Sequence, residues 1–283
     1  NLSVGNLRCA PDHTSTLISQ GLLGTPVKIY EKDGSWYHLQ TPDNYFGWID
    51  SSGIQPLKKN NLRKWKNSRK IIYTADYGSI FKEENLSSDR VSDVVMGDIL
   101  KLEEITAEWY KISLPDCREG FIPKTRAKKI TEWQDAIKLT GTSIVRLAKL
   151  FLGIPYLWGG TSIKGVDCSG FVKIVYFMHG IILQRDASQQ SQNGEIIPIE
   201  KDYENLQPGD LLFFEKSEIT HVAIYLGDQE FIHASGRVKI ESLNKKDSNY
   251  NESRAKTLVQ VRRIINSTGD EGISLFQENE YYQ

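Results

Sequence analysis

The segment Pro-Tyr-Leu-Trp-Gly-Gly-Thr at residues 155–161 precedes Asp-Cys-Ser-Gly-Phe-Val at residues 167–172. The first segment reads as a rigid aromatic loop that ends in a glycine pair. The second leads into an apolar run at residues 171–178, which predicts a helix ended by Gly180. This order of loop, polar turn and apolar helix places a cysteine, Cys168, where the helix begins.

Cys168 has the sequence context of a nucleophile. Unpaired backbone N–H groups and the helix dipole favour an anion at a helix start, and such a site lowers the pKa of a thiol. Asp167 is the natural N-cap of this helix. A small buried core cysteine is the alternative, but the flanking Asp167 and Ser169 argue against a purely apolar site.

The rest of the second half alternates between helix and strand. Apolar residues recur at three- and four-residue spacing over residues 144–151, which predicts an earlier helix that Gly153 and Pro155 end. Four later segments have strand patterns: 210–215, 220–226, 230–234 and 237–242. Helices followed by strands indicate an α+β fold.

Two histidines belong to neighbouring predicted strands, with a turn near residues 227–229 between them. A three-residue loop would place position 223 opposite position 233, so that His221 and His233 share one face of the sheet. An even-numbered loop would place them on opposite faces unless a bulge corrects the register. On one face, one ring can take the thiol proton while the other holds the tautomer of the first.

The first half contains an internal repeat. Residues 24–49 align without a gap with residues 97–122, at an offset of 73 residues. Each copy predicts three short strands separated by turns, so two small barrels are expected. Trp36 and Trp109 are expected in their cores, and Cys117 in an exposed turn.

Composition restricts the function classes. The chain has 283 residues, 39% of them apolar, a net charge of −1 and a pI near 6.6. These values argue against a disordered chain, a basic nucleic-acid binder and a polybasic membrane anchor. No apolar run is long enough for a membrane span. The three cysteines are too few for a disulfide scaffold, and their odd number leaves at least one free thiol within the chain or a pairing between chains.

Five segments over residues 140–265 resemble the NlpC-type cell-wall cysteine peptidases. They are Pro-Tyr-x-Trp-Gly-Gly at 155–160, Asp-Cys-Ser-Gly-Phe-Val at 167–172, Leu-x-Pro-Gly-Asp-Leu at 206–211, His-Val-Ala-Ile-Tyr-Leu-Gly at 221–227 and Ile-His-Ala-Ser-Gly at 232–236. Residues 1–130 resemble bacterial SH3-like domains. The combined order is similar to the YkfC-like branch, whose members cleave γ-D-glutamyl-L-diamino-acid bonds in small murein peptides.

The resemblance implies a papain-like domain at 131–283 behind SH3-like barrels at 1–59 and 60–130. It implies a triad in which Cys168 is the nucleophile, His221 the general base and His233 its orienting residue. Tyr156 matches the active-site tyrosine of the family, where its hydroxyl could contact the substrate or the oxyanion.

The resemblance also implies substrate contacts. Asp167 and Ser169 match positions that hold the free amino group of an N-terminal L-Ala, and Ser188 is a further candidate. In the YkfC-like branch the first barrel caps the site, and Tyr45 and Trp48 are chosen for that role because they flank a turn.

The predicted activity is therefore cleavage of murein peptides by a dipeptidyl-peptidase VI type of enzyme, which releases L-Ala-D-Glu. The choice between L-Lys and diaminopimelate stays open. A non-catalytic cell-wall-binding module, a papain-like acyltransferase and a metal site at Cys168, His221 and His233 are the alternatives. The prediction includes no cofactor, no metal and no nucleic-acid partner.

The sequence also gives broad expectations for the cellular compartment and the oligomeric state. The chain begins at Asn1, as a processed exported protein or a trimmed chain would. An extracytoplasmic location, periplasmic or secreted after signal removal, is expected, with a cytoplasmic location as the alternative. The expected assembly is a monomer.

Overall fold

The computed structural model describes residues 1–283, which divide into two units. The first unit contains residues 1–137 and 277–283, and the second contains residues 138–276. No helix in either unit has the length and apolar character needed to cross a membrane.

The first five strands of the first unit form one antiparallel sheet. They are β1 (Val4–Arg8), β2 (Leu17–Leu22), β3 (Lys28–Asp33), β4 (Trp36–Gln40) and β5 (Phe46–Asp50). Their order in the sheet is β2-β1-β5-β4-β3. Side chains from one face of these strands, with Ile54, form a small core of Leu7, Leu39, Ile49 and Ile54.

Helix α1 (Lys59–Lys66) leads into a second sheet. Its strands are β6 (Lys70–Tyr73), β7 (Tyr77–Phe81), β8 (Arg90–Val95), β9 (Ile99–Ile105), β10 (Trp109–Ser113), β11 (Glu119–Pro123) and β12 (Ala127–Lys129), followed by α2 (Ile130–Ala136). The order is β12-β6-β9-β10-β11-β7-β8. Buried Asp98 joins the two sheets, because its Oδ1 accepts the N–H of Leu23 at 2.9 Å while its Oδ2 accepts that of Val95 at 2.8 Å.

The internal repeat is confirmed by the register of the strands. Trp36 pairs with Asp50 and Trp109 pairs with Pro123, which are equivalent pairs at the offset of 73 residues. The corresponding turns contain Asn44 at φ 61° and Cys117 at φ 70°. Cys117 is exposed, as predicted.

The two repeat tryptophans differ in burial. Trp36 is 8% exposed and belongs to the core, as predicted. Trp109 is only half-buried and meets Phe81 edge to face with ring centroids 5.9 Å apart. The ring of His13, between β1 and β2, lies on Trp36 with centroids 4.7 Å apart, whereas Trp109 meets Phe81 of β7 across the intervening strand β11.

The second unit begins with the predicted helices. Its elements up to the sheet are α3 (Gly141–Lys149), β13 (Thr161–Ser162), β14 (Gly165–Val166), α4 (Cys168–Phe177), β15 (Ile181–Leu183), α5 (Ala187–Gln190) and β16 (Glu195–Ile196). Thr140 caps α3 through a reciprocal pair of hydrogen bonds with Ser143. Gly180, at φ 75°, follows the end of α4.

A six-stranded antiparallel sheet completes this unit. It is built by β16, β17 (Leu211–Glu215), β18 (Ile219–Gly227), β19 (Glu230–Ser235), β20 (Arg237–Ser242) and, after α6 (Glu252–Thr257), β21 (Leu258–Arg263). The order is β16-β21-β17-β18-β19-β20. A last strand, β22 (Ile273–Leu275), pairs with β15. The sequence pattern predicts β17 to β20 but misses α6 and β21.

The division into units differs from the predicted domain boundaries. The predicted third domain begins at residue 131, whereas α2 at Ile130–Ala136 belongs to the first unit. The C-terminal residues 277–283 also belong there, and Asn279 Nδ2 donates to the carbonyl oxygen of Pro42 at 3.1 Å. The two sheets of the first unit match the two predicted barrels, and the three-domain division stays a prediction.

Candidate active site

The start of α4 is fixed by Asp167. Its carboxylate accepts the N–H of Gly170 at 2.7 Å and the N–H of Gly159 at 2.9 Å. A Cβ atom on Gly170 would lie 2.0 Å from the carbonyl oxygen of Gly160. Glycine is therefore required at position 170 for the helix start to reach the 155–161 loop.

Cys168 is the first residue of α4 and is 8% exposed. Its Sγ lies 3.9 Å from the carbonyl oxygen of Thr220, the residue before His221. Burial, and secondly the charge of Asp167, raises the pKa of the Cys168 thiol to about 11. The expectation that the helix start lowers this pKa is wrong, because desolvation of the thiolate outweighs the N–H groups of Val222 and Ser169 that face the sulfur.

The β18–β19 hairpin brings the two histidines together. Its turn contains two residues, Asp228 at φ 50° and Gln229 at φ 66°, and a bulge lies between Tyr225 and Gly227. The bulge restores the register in which position 223 faces position 233. The structure thus contains the even loop with a corrective bulge, one of the two arrangements that keep both rings on one face.

The imidazole rings form a direct hydrogen bond. Nε2 of His221 lies 2.7 Å from Nδ1 of His233, with the ring planes at 89°. His233 is fully buried and His221 is 7% exposed. This contact uses Nε2 of His221 and leaves Nδ1 as the ring nitrogen that does not contact His233.

Burial keeps both rings neutral. The pKa of His221 lies well below its usual value of 6.5, chiefly through desolvation and further through the positive charges of Arg254 and His233. Desolvation also lowers the pKa of His233, against the opposing effect of Glu241. The site at neutral pH therefore holds two neutral imidazoles and a protonated thiol, whose Sγ lies 3.9 Å from the carbonyl oxygen of the residue before His221.

Glu241 is a site residue that the sequence reasoning missed. Its Oε2 lies 2.9 Å from Nε2 of His233, on the side opposite His221. The side chains of Lys239 and Asn251 also contact this carboxylate. The sequence contains enough information to predict this contact. A tight hairpin follows His233 and places a residue of β20 beside it on the same face of the sheet.

Arg185 is the second residue that was missed. It is 1% exposed, its guanidinium forms a two-pronged ion pair with Asp167, and its Nη1 donates to the hydroxyl oxygen of Ser169 at 2.9 Å. A single arginine after a short apolar strand does not by itself indicate a buried ion pair. Asp167 thus accepts from two backbone N–H groups, from two guanidinium nitrogens and, at 3.3 Å, from the hydroxyl of Ser169.

Tyr156 and Ser188, the remaining residues predicted in this unit, have different environments. Tyr156 is half-buried, and burial, followed by the charges of Cys168 and Asp167, raises the pKa of its hydroxyl to about 12. Its hydroxyl is therefore protonated and able to donate. Ser188 is exposed on the short helix α5, while the preceding residue, Ala187, is buried.

Tyr45 and Trp48 belong to the first unit. Both are half-buried, and Trp48 stacks on His38 with ring centroids 4.9 Å apart. Phe46, between them in sequence, is 44% exposed. An aromatic surface is thus present at the predicted turn, and its role toward substrate stays a prediction.

The geometry favours acyl transfer through sulfur. A thiol at a helix start, a neutral imidazole with one available nitrogen and a second imidazole behind it are the parts of a cysteine nucleophile system.

No group of three His, Cys, Asp or Glu side chains is arranged to hold a metal ion. Cys9, Cys117 and Cys168 are all free thiols.

Comparison with family models gives two matches. Residues 153–262 match the NlpC/P60 family, and residues 7–54 match the bacterial dipeptidyl-peptidase SH3 domain. The first match contains Cys168 and both histidines of the pair. The second covers the first barrel, and the second barrel is defined by the repeat and by its own sheet.

Curated relatives span most of the chain. A γ-D-glutamyl-L-lysine dipeptidyl-peptidase of Bacillus cereus is 31% identical over 247 residues, which are 82% of this chain and 72% of the relative. Dipeptidyl-peptidase 6 of Lysinibacillus sphaericus is 27% identical over 272 residues, covering 93% of this chain and 97% of the relative.

A solved structure shows the same fold. The crystal structure of an NlpC/P60 family protein from Bacillus cereus superposes with a TM-score of 0.81 at 24% identity, covering 93% of this chain and 98% of that one. The α+β prediction, with strand-rich SH3-like domains before a papain-like domain, is confirmed.

Proposed function

Because the chain belongs to the NlpC/P60 family and is a cysteine peptidase, we propose that it hydrolyses the γ-D-glutamyl-L-diamino-acid bond of murein peptides with a free N-terminal L-Ala. The observation that carries this proposal is the thiol of Cys168 at a helix start, beside the hydrogen-bonded pair of His221 and His233. The named activities of the similar proteins supply the bond and the substrate class.

Acylation uses groups already in place. Nδ1 of His221 takes the thiol proton while Sγ of Cys168 attacks the γ-carbonyl carbon of D-Glu. The N–H of Cys168, at the start of α4, and the hydroxyl of Tyr156 donate to the oxyanion. Since both His221 and the thiol are neutral at rest, proton transfer accompanies attack and does not precede it.

When the tetrahedral intermediate breaks down, the proton that His221 took from the thiol passes to the leaving group. The C–N bond breaks, imidazolium His221 protonates the leaving amine of the diamino acid, and the γ-glutamyl group remains on Cys168 as a thioester. Water, deprotonated by His221, then attacks the thioester. The products are L-Ala-D-Glu and the regenerated thiol.

The substrate contacts carry a physical constraint. We propose that Ser169 and the charge of Asp167 act on the amino group of L-Ala, with Ser188 as a further contact. Arg185, Ser169 and two backbone N–H groups already donate to Asp167, so an ammonium group must share this carboxylate with a guanidinium. Tyr45 and Trp48 are proposed to contact the peptide from the first barrel.

Digestion of synthetic peptides tests the activity. Wild-type protein should release L-Ala-D-Glu from L-Ala-γ-D-Glu-L-Lys, from its diaminopimelate equivalent or from both, as measured by mass spectrometry. Cys168→Ala should release none, whereas Cys117→Ala, at an exposed turn thiol, should match the wild type. Cleavage by Cys168→Ala would disprove the mechanism, and murein binding without any release would indicate a binding module.

Acetylation of the substrate amine tests the amine contact separately. The N-acetyl peptide should be cleaved more slowly than the free peptide. Equal rates would remove the role of Asp167 and Ser169 in amine binding while leaving the nucleophile system intact. A control with the free peptide amidated at its C-terminus keeps the amine and changes only a distant charge.

We infer that the protein acts as a monomer in an extracytoplasmic compartment, where murein peptides are exposed. The similar γ-D-glutamyl-L-lysine dipeptidyl-peptidase supports the substrate class. Light scattering of the purified chain and fractionation of the producing cells test these two points, and a dimer or a cytoplasmic pool would contradict them.

A further inference from the structure

Glu241 lies behind the histidine pair. Its Oε2 is 2.9 Å from Nε2 of His233 and also accepts from Nδ2 of Asn251 at 2.6 Å. Its Oε1 is 2.6 Å from Nζ of Lys239. Each oxygen of this carboxylate therefore has a donor that fixes its position.

The sheet register explains this placement. In the β19–β20 hairpin, His233 pairs with Lys239 and Phe231 pairs with Glu241. Side chains at alternate positions share a face, so Lys239 lies directly opposite His233 and Glu241 is its diagonal neighbour on the same face. The arrangement depends on backbone pairing and not on a flexible loop.

The 2.9 Å contact between Nε2 of His233 and the Glu241 carboxylate, with the ring-to-ring hydrogen bond, indicates which nitrogens carry hydrogens. An ionised carboxylate only accepts, so Nε2 of His233 must carry a hydrogen. In a neutral imidazole the other nitrogen, Nδ1, is then an acceptor, and Nε2 of His221 must donate to it. Nδ1 of His221 is consequently left without a hydrogen, as a base requires.

We propose that Glu241 is a positioning residue that sets the tautomers of both histidines and leaves Nδ1 of His221 as the proton acceptor. The catalytic meaning of this inference rests on the proposed function, but the tautomers themselves do not. In this proposal the catalytic triad of Cys168, His221 and His233 is extended by a fourth residue, Glu241.

The charges around the pair give Glu241 a second effect. Positive groups near the rings are Lys239 and Arg254, and both disfavour an imidazolium. Glu241 is the negative group that opposes them. It therefore also stabilises the charged His221 that forms during attack.

Glu241→Gln removes the charge at nearly constant volume. The ammonium of Lys239 outweighs the neutral amide donor of Asn251 in placing the new amide oxygen, so the amide NH2 faces His233 and Asn251 loses its acceptor. Nε2 of His233 must then accept, and both rings take the opposite tautomer. We expect kcat to fall about 10- to 100-fold, as for other residues that orient a functional histidine, with KM changed less than kcat.

Two readouts separate this role from a structural one. Long-range 1H–15N spectra of the histidines should show Nε2–H tautomers in the wild type and Nδ1–H tautomers in Glu241→Gln. The acid limb of the kcat/KM profile should move to lower pH, because loss of the carboxylate lowers the pKa of the pair. Glu230→Gln, which removes an Asn249-bound carboxylate on β19, should change neither.

The background variant His233→Asn completes the test. If Glu241 acts through His233, adding Glu241→Gln to this background should lower kcat little further. Unchanged tautomers in folded Glu241→Gln, or an equal loss in the His233→Asn background, would overturn the proposal. If the wild type cleaves no murein peptide, the proposed function fails, and the spectra still decide the tautomer.

Discussion

Nε2 of His221 lies 2.7 Å from Nδ1 of His233 at the same face of one hairpin. The second ring is fully buried, so it cannot exchange this contact for water. The orientation of the proposed base therefore depends on whether position 233 presents an acceptor atom.

His233→Leu should lower kcat about 100-fold or more, because the proposed base loses its orienting acceptor, within the usual contribution of general acid–base groups. His233→Asn should retain more activity, since its side-chain oxygen can occupy the position of Nδ1. Steady-state kinetics on the γ-glutamyl peptide measure both. His13→Gln, in the first unit, is the matched control, and equal losses in the Leu and Asn variants would contradict the orienting role.

The Cys168 thiol should stay protonated at neutral pH. Burial raises its pKa to about 11 and lowers that of His221, so a resting thiolate–imidazolium pair is disfavoured. Below that pKa, the alkylation rate with iodoacetamide should rise about tenfold for each pH unit. The measurement needs Cys9→Ser and Cys117→Ser, because both of these thiols are exposed. A rate that is already maximal at pH 6 would indicate the ion pair instead.

Much of the site follows from local sequence. The polar turn before the apolar run predicts that Cys168 begins a helix, and α4 does begin at that residue. The spacing of His221 and His233 predicts a shared face, although the structure reaches it with a bulge. These features depend on a few neighbouring residues, so sequence periodicity is sufficient to find them.

Other features depend on contacts between distant segments. The sequence pattern does not predict β21, because Leu258–Arg263 forms a strand by pairing with β17, which lies far earlier in the chain. Arg185 and Glu241 are missed because a charged residue is normally expected at the surface. Arg185 is buried and Glu241 is partly buried, and both positions are explained only by partners that the fold brings to them. The thiol pKa was predicted in the wrong direction, since sequence does not show the depth of burial.

The Arg185–Asp167 pair should contribute strongly to stability. Arg185→Met leaves the carboxylate of Asp167 buried without its ion partner, which should lower the free energy of unfolding by about 3–5 kcal/mol. Combining it with Asp167→Asn should recover part of this loss, because asparagine still caps a helix and carries no charge. Urea unfolding gives the values.

A surface ion pair provides the comparison for that experiment. Lys256 and Glu252 are paired at 2.8 Å, but their side chains are 71% and 66% exposed. Lys256→Met should therefore lower the free energy of unfolding by less than about 1 kcal/mol. If Arg185→Met and Lys256→Met lowered the free energy of unfolding by similar amounts, the buried pair would contribute no more to stability than the exposed one.

Arg254 should set the acid limit of activity. Its guanidinium lies over the ring of Phe214 at 5.3 Å, and the rings of Phe214 and His221 are 5.7 Å apart. The positive charge lowers the pKa of His221, second only to burial. Arg254→Met removes that charge, so the pKa of His221 should rise and the acid limb of kcat/KM should move to higher pH.

This shift is opposite in sign to that expected for Glu241→Gln, since one variant removes a positive and the other a negative neighbour of the same pair. Lys256→Met, on the same helix as Arg254 but at its exposed surface, should leave the acid limb in place. The free-enzyme profile, kcat/KM against pH, is the measurement. A shift of Arg254→Met to lower pH, or the same shift in both helix variants, would show that His221 does not govern this limb.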